Sequence, residues 1–264
     1  MAERSHLSRT GLACVLAPVF AFLYIPIATL VALSFNEGGL PTAWTGFSVK
    51  WYGALLANRD ILSAALNTLI VAVISTAIAS VLGTLLALGI ETRRRKGRAL
   101  EALVFAPMII PDIVLAIALL SFFSLLKFPM GLHTIILSHV VFNLAFVSAV
   151  VRARLKSFDW SVAEASADLG ASAFTTFRRV TLPLILPAVI AGALLAFTLS
   201  VDEFIIAFFT AGAGRASTTL PMQIFAMIRF GVTPEINALA TLVMIVSVTA
   251  LTLSQRLNKG VIAP

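Results

Sequence analysis

The sequence predicts an all-α, polytopic membrane protein with six transmembrane helices, on three observations. Hydrophobic residues make up 59% of its 264 residues and charged residues 12%, where a soluble domain carries about 25% charged; mean hydropathy is +1.02. Six apolar runs reach the roughly 20 residues that cross a bilayer as a helix, at about 12–35, 64–90, 102–126, 134–153, 184–210 and 236–255. The 19 Lys and Arg residues divide unevenly between the two sides that these runs define, 14 to 5.

The first run follows Arg4 and Arg9, as a signal peptide would. It is 24 residues long, Leu12 to Phe35, whereas a signal h-region spans about 7–15, so it is predicted to be a retained span. Cys14 lies within it and is the one cysteine of the chain. It has no partner for an intramolecular disulfide, and it reads as a buried thiol.

Orientation follows from the positive-inside rule. With the N-terminus in the cytoplasm, that side holds Arg4, Arg9, Arg93, Arg94, Arg95, Lys96, Arg98, Arg152, Arg154, Lys156, Arg178, Arg179, Arg256 and Lys259. The other side holds Lys50, Arg59, Lys127, Arg215 and Arg229. Both termini are therefore predicted to be cytoplasmic. The net charge of +7 is a by-product of this bias, and no nucleic-acid partner is implied. The run Arg93–Lys96 reads as a topology determinant, with binding of lipid headgroups as the second reading. Outside, the loop 36–60 carries Trp44, Phe47, Trp51 and Tyr52, which read as interfacial aromatic anchors. The outer loop 211–235 carries Gly212, Gly214, Pro221 and Pro234.

Three carboxylates fall inside apolar runs: Asp112, directly after Pro111, and Asp202 with Glu203. One reading places them near the headgroups, where a charge costs less. The other places them against a cavity or a partner. Glu203 lies roughly 10 Å along the helix from the outer end of its span near Thr210, which is within the hydrocarbon. Its helical face contains Ala196, Ser200, Ala207 and Thr210, a small and polar stripe suited to packing or to a cavity wall. Adjacent residues point about 100° apart, so Asp202 and Glu203 cannot aim at one point unless the helix is irregular. Pro107 and Pro111 weaken the third span and free carbonyls near Asp112. His139 and Asn143 share a face of the fourth span and read as interhelical hydrogen-bonding groups.

The cytoplasmic loop 154–183 is too long for a turn. Ser161 and Glu164 have capping-box spacing, predicting a helix from near Val162. Gly170 is placed to end it. Ser172 is placed to cap a second helix that ends near Pro183. Within this loop stand Glu164-Ala165-Ser166, three residues, Gly170, nine residues, and Val180-Thr181-Leu182-Pro183. This resembles the EAA loop of type I ATP-binding-cassette importer permeases, departing from the family pattern at Ser166 for alanine and Val180 for isoleucine. The resemblance implies the fold of those permeases, a single permease domain over 1–264 in a bacterial inner membrane. It also implies a coupling helix in which Glu164, Ala165, Gly170, Val180, Leu182 and Pro183 serve docking to an ATPase subunit. The implied partners are two copies of the ATPase, a second permease (favoured as a homologous sister chain), a periplasmic or extracellular substrate-binding protein and membrane lipid.

A second stretch, Ser200 to Gly212 and Thr218 to Thr241, together with MIIPDIV at Met108 to Val114, resembles the second permease of spermidine/putrescine importers. That resemblance implies a path for polyamines past Asp112, Ser200, Asp202 and Glu203. Permeases for opines, other amines and aminophosphonates share the subfamily.

There is no glycine loop to cradle a phosphate, no Ser/His/Asp set and no metal-hydrolase spacing. No catalytic residue, cofactor or metal is therefore predicted, and ATP hydrolysis is assigned to another subunit. A self-sufficient secondary transporter is the alternative, but the internal repeats common in that class are missing.

Overall fold

The computed structural model describes residues 9–39, 43–92, 97–229 and 231–258. Arg4, Arg93, Arg94, Arg95, Lys96 and Lys259 lie outside the described residues, as do the side chains of Arg9, Arg98 and Arg256. The described residues are helical, with one isolated β-bridge between Asn36 and Phe47. They form two compact units, Met1–Leu62 with Ile224–Pro264, and Ser63–Gln223.

The first unit contains α1 (Arg9–Leu33), α2 (Lys50–Ala57) and α12 (Pro234–Asn258), with α12 against both α1 and α2. The loop before α2 folds around Asn36, which is fully buried. Its Oδ1 accepts from the Thr45 N–H at 2.9 Å, its Nδ2 donates to the Ala43 carbonyl at 2.8 Å, and its own carbonyl accepts from Trp51 Nε1 at 2.8 Å. Of the four predicted anchors, Trp44 and Phe47 are exposed while Trp51 and Tyr52 are half-buried and hydrogen-bonded. Cys14 is exposed rather than buried. The apolar side chains along α1 project outward, Phe22 being 80% exposed, so this helix offers no interior on the cysteine's face.

The second unit contains most of α3 (Arg59–Thr92), then α4 (Gly97–Ile109), α5 (Asp112–Leu125), α6 (Leu132–Lys156), α7 (Ser161–Asp168), α8 (Ala173–Thr176), α9 (Leu182–Asp202), α10 (Ile205–Thr210) and the start of α11 (Leu220–Ile228). Lipid is as apolar as leucine, so helices associate here through close packing and buried hydrogen bonds. The centre follows that rule. Val147 on α6 lies between Gly83 of α3 and Gly192 of α9. A Cβ on Gly83 would stand 2.9 Å from Val147 Cβ, and one on Gly192 would stand 3.4 Å from Val147 Cα. Ala79, Ala87, Val151, Leu155, Ile185 and Ala196 complete this core.

Among the described residues, four helices are long and apolar enough to cross a membrane: Leu16–Leu33, Arg59–Thr92, Leu132–Lys156 and Ala173–Asp202. The predicted span at 102–126, weakened by its prolines, is two helices, Leu100–Ile109 and Asp112–Leu125, bent by 114°. Pro111 causes this. It lacks an N–H, and it stands in an extended conformation (φ −55°, ψ 136°) as the N-cap of α5. Pro107, by contrast, is accommodated inside α4. The predicted span 184–210 also breaks, between α9 and α10 at Glu203–Phe204.

Candidate functional site

The two breaks face each other, because α10 packs on α5. Ile206 inserts among Leu115, Ala116 and Phe142, with Leu119, Leu199 and Phe209 around them. Glu203 takes an extended backbone (φ −69°, ψ 116°) after the last residue of α9. Its Oε1 accepts from the Ile206 N–H at 2.7 Å. A side-chain carboxylate thus supplies an acceptor for one of the orphaned amides at the start of α10. Asp112 is the first residue of α5, and it lies within electrostatic reach of Glu203. Asp112 and Glu203 are half-buried and Asp202 is exposed. The ideal-helix angle between Asp202 and Glu203 therefore does not apply, since the helix ends between them. The structure thus places Asp112 within electrostatic reach of Glu203, with Asp202 next to Glu203 in sequence. Ser200 is set apart from them, 2% exposed, with its Oγ 2.7 Å from His139 Nδ1 and 3.3 Å from Ser75 Oγ. Asn143 Nδ2 donates to Ser75 Oγ at 3.3 Å. A buried polar cluster thus links α3, α6 and α9 one turn below the break.

One end of this unit is pinned by side chains. Asn67 Nδ2 donates to the carbonyls of Ala216 and Thr218 at 3.1 and 3.0 Å. Thr68 Oγ1 accepts from the Leu220 N–H at 2.7 Å. Gly212 leaves no room for a side chain, since a Cβ there would collide with the Met130 carbonyl.

At the opposite end, α7 and α8 form the predicted helical pair. The expected capping box does not form. Ser161 is already the first helical residue, with Trp160 as N-cap, so the Ser161 N–H is free to donate to Asp159 Oδ1 at 3.0 Å. The Ser161 hydroxyl first, and this N–H second, hold the Asp159 carboxyl below its ordinary range. Gly170 ends α7 with φ +82°, a left-handed conformation that side chains disfavour. Ser172 Oγ caps α8 by accepting from the Thr175 N–H at 3.3 Å. The second helix does not stop near Pro183. It continues through a π-turn at Phe177–Thr181 into α9, which has Pro183 in its first turn. The wider π-turn leaves some amides without an i−4 partner, and the first turn of a helix tolerates a missing N–H. Glu164, Ala165 and Gly170 are exposed, whereas Val180 is half-buried where the π-turn enters α9.

The inner face of α7 is fixed by Trp160 and Ala163, which pack on the core with Phe158. Phe158 and Trp160 meet edge to face at 5.0 Å. The outer face leaves Leu169 90% exposed and Phe174 70% exposed, on either side of Gly170. These two apolar projections were not singled out in the sequence, because isolated Leu and Phe carry no period in so short a loop.

Comparison with known proteins places these features. Residues 79–261 match the family of binding-protein-dependent transport system inner membrane components. The chain is 41% identical over 238 residues to the spermidine/putrescine transport system permease protein PotC of Escherichia coli (strain K12), covering 90% of this chain and 89% of that one. It is 42% identical over 233 residues to the putrescine transport system permease protein PotI of the same organism, covering 85% and 82%. In fold it is similar to a chain of a bacterial ABC transporter involved in the import of the acidic polysaccharide alginate. That match has a TM-score of 0.74 at 16% identity, over 97% of this chain and 98% of that one. The chain belongs to the binding-protein-dependent transport system inner membrane components, as a multi-pass permease with the all-α fold of ABC importers and not as an enzyme.

Proposed function

We propose that this chain is a permease subunit of an ATP-driven, binding-protein-dependent importer and forms half of a path for spermidine, putrescine or a related cationic amine. The observation that carries the substrate is the meeting of Asp112 and Glu203 at two facing helix breaks, with Asp202 beside them. Carboxylates within electrostatic reach of one another inside a bilayer repel and are costly to desolvate. A protonated amine relieves both penalties. Identities of 41% and 42% to permeases named for spermidine and putrescine support the same substrate class. Broken helices near the membrane interior are a recurrent way of building a transport path.

The exposed face of α7 and α8 is the surface for an ATPase subunit. Glu164, Ala165 and Gly170 lie at the contact, and Val180, Leu182 and Pro183 join it to α9. The working assembly has two ATPase copies, this chain, a sister permease and an external binding protein. All 264 residues serve one permease domain of six spans, with the bent α4–α5 pair as the third and α12 as the sixth. Both termini are cytoplasmic, which the 14 to 5 division of basic residues supports.

The test is uptake of labelled putrescine and spermidine by the assembled transporter in proteoliposomes, with opines and aminophosphonates as competitors. Saturable polyamine uptake that needs ATP and the binding protein is expected. Uptake blocked by an opine or aminophosphonate, with none of polyamine, sinks the substrate assignment. Reporter fusions at both ends of the chain check the orientation.

A further inference from the structure

Between α4 and α6, which pack on each other, runs a groove of about 440 Å³ whose lining includes none of the intramembrane acids. Phe105 and Met108 of α4 line it on one side, and Ala149, Arg152, Ala153 and Lys156 of α6 on the other. The α6 residues are spaced i, i+3, i+4 and i+7, so they form one face of the helix. Two of the four are alanines, which leaves a trough in that face, and α4 supplies an apolar wall. The volume falls in the range of about 300–1,000 Å³ typical of ligand clefts.

The two ends of the groove differ in chemistry. Lys156 is the last residue of α6 and is exposed. From Leu132 to Lys156 is about 36 Å of helix, longer than the roughly 30 Å hydrocarbon core. The turn that carries Arg154 and Lys156 is the end that reaches the headgroups, where charge is cheap. Ala149 lies about 10 Å from Lys156 along the helix, within the hydrocarbon. The groove thus has a cationic mouth in the polar layer and an apolar floor of Phe105, Met108, Ala149 and Ala153.

Arg152 stands between mouth and floor, its guanidinium 5.8 Å from the Phe105 ring. Its Nη2 donates to Glu101 Oε2 at 2.9 Å and its Nη1 to Oε1, while Nε lies 3.6 Å from Glu91 Oε2. Those carboxylates offset the charge of Arg152, and neither lines the groove. The net charge at the mouth is that of Lys156, which among the described residues makes no hydrogen bond or ion pair. A cation there repels the amine of the transport path and attracts an anion. The floor suits a hydrocarbon. An anionic head joined to an acyl chain has both properties, and the bilayer supplies it; basic pockets between transmembrane helices are a recurrent form of such sites.

We propose that this groove binds one anionic phospholipid, its phosphate at the Lys156 ammonium and an acyl chain along Phe105, Met108, Ala149 and Ala153. Seated there, the lipid seals the seam between α4 and α6 at the end where their charges lie. The site is independent of which substrate the permease carries.

The test uses the assembled transporter in nanodiscs of phosphatidylcholine with a minor share of phosphatidylglycerol, the retained lipid being counted by native mass spectrometry. The wild type is expected to keep one phosphatidylglycerol in preference to phosphatidylcholine. Lys156→Gln weakens that binding about fivefold, the scale of one basic residue at a membrane surface, and Lys156→Arg keeps it. Ala153→Phe fills the trough and weakens binding with the mouth intact. Free glycerophosphoglycerol, which has the head and no chain, does not displace the lipid. Equal retention of the two lipids by the wild type, or binding by Lys156→Gln equal to wild type, overturns the proposal. Displacement by the free headgroup means a simple anion site and overturns it too. So does loss of the sister permease from either variant, which makes the groove a contact between chains. Should Ala153→Phe not insert, the comparison of Lys156→Gln with Lys156→Arg decides alone.

Discussion

His139 Nδ1 lies 2.7 Å from Ser200 Oγ, with His139 1% exposed and Ser200 2% exposed. The bond ties α6 to α9 three residues before Glu203 turns out of the helix. Buried hydrogen bonds between membrane helices contribute about 0.6 to 2 kcal/mol. His139→Leu should therefore destabilise the detergent-solubilised permease by that order, seen as a lower melting temperature. Ser200→Ala should do the same, and the two together should cost less than their sum. Thermal unfolding of the four proteins checks this; fully additive losses mean the contact does not bind the helices.

Asp202 and Glu203 should separate by experiment. Glu203 caps α10 through the Ile206 N–H, so Glu203→Leu should cost about 1 kcal/mol of stability as well as uptake. Asp202 is exposed, and Asp202→Asn should cut amine uptake with no change in melting. Neutral replacement of both, with Asn and Gln, should leave assembly with the ATPase intact. Uptake equal to wild type in that double variant refutes the electrostatic path.

Gly170 requires φ +82°. Asparagine tolerates the left-handed region and a β-branched residue does not. Gly170→Asn should keep uptake, whereas Gly170→Val should lose it while still inserting in the membrane. Equal uptake by the two variants means the bend at Gly170 carries no role.

Leu169 and Phe174 project from that bend, 90% and 70% exposed. If they fill a groove on the ATPase, replacing both with serine should weaken its binding by about 30-fold or more, the scale of two apolar anchors. Co-purification at several ATPase concentrations measures it. Unaltered recovery places the contact elsewhere on α7.

Gly83 faces Val147 where a Cβ would stand 2.9 Å from Val147 Cβ and 3.2 Å from the Leu144 carbonyl. Gly83→Val should separate α3 from α6 at a cost of about 1–3 kcal/mol. Val147→Ala in the same chain should recover part of the loss. Melting of the single and double variants checks the pairing.

The order of the helices was legible because apolar length is a local property, and the long helices at 59–92 and 132–156 cover the predicted spans. The α7–α8 pair was legible for a similar reason. Gly170 and Ser172 act on their own neighbours, so their spacing predicts a stop and a start. Legibility failed where a local rule had two solutions. Ser161 has capping-box spacing, yet the chain turns helical one residue too early to use it. Pro183 disfavours helix before it, yet the π-turn removes the conflict. Proline weakening of the third span was foreseen from Pro107 and Pro111, but only Pro111 breaks it.

The sequence by itself determined the apolar segments, the family and the identity of the intramembrane acids, since each is written in residue type and spacing along the chain. Tertiary structure alone decided that the acids at 112 and 203 come within electrostatic reach of one another, because that depends on α10 packing against α5. It also decided that Ser200 turns to His139 rather than to those acids, and that Arg152 joins Glu91 and Glu101. These pairings link residues 51 to 91 positions apart, and no local periodicity encodes which helix faces which; the close approach allowed by Gly83, Val147 and Gly192 does.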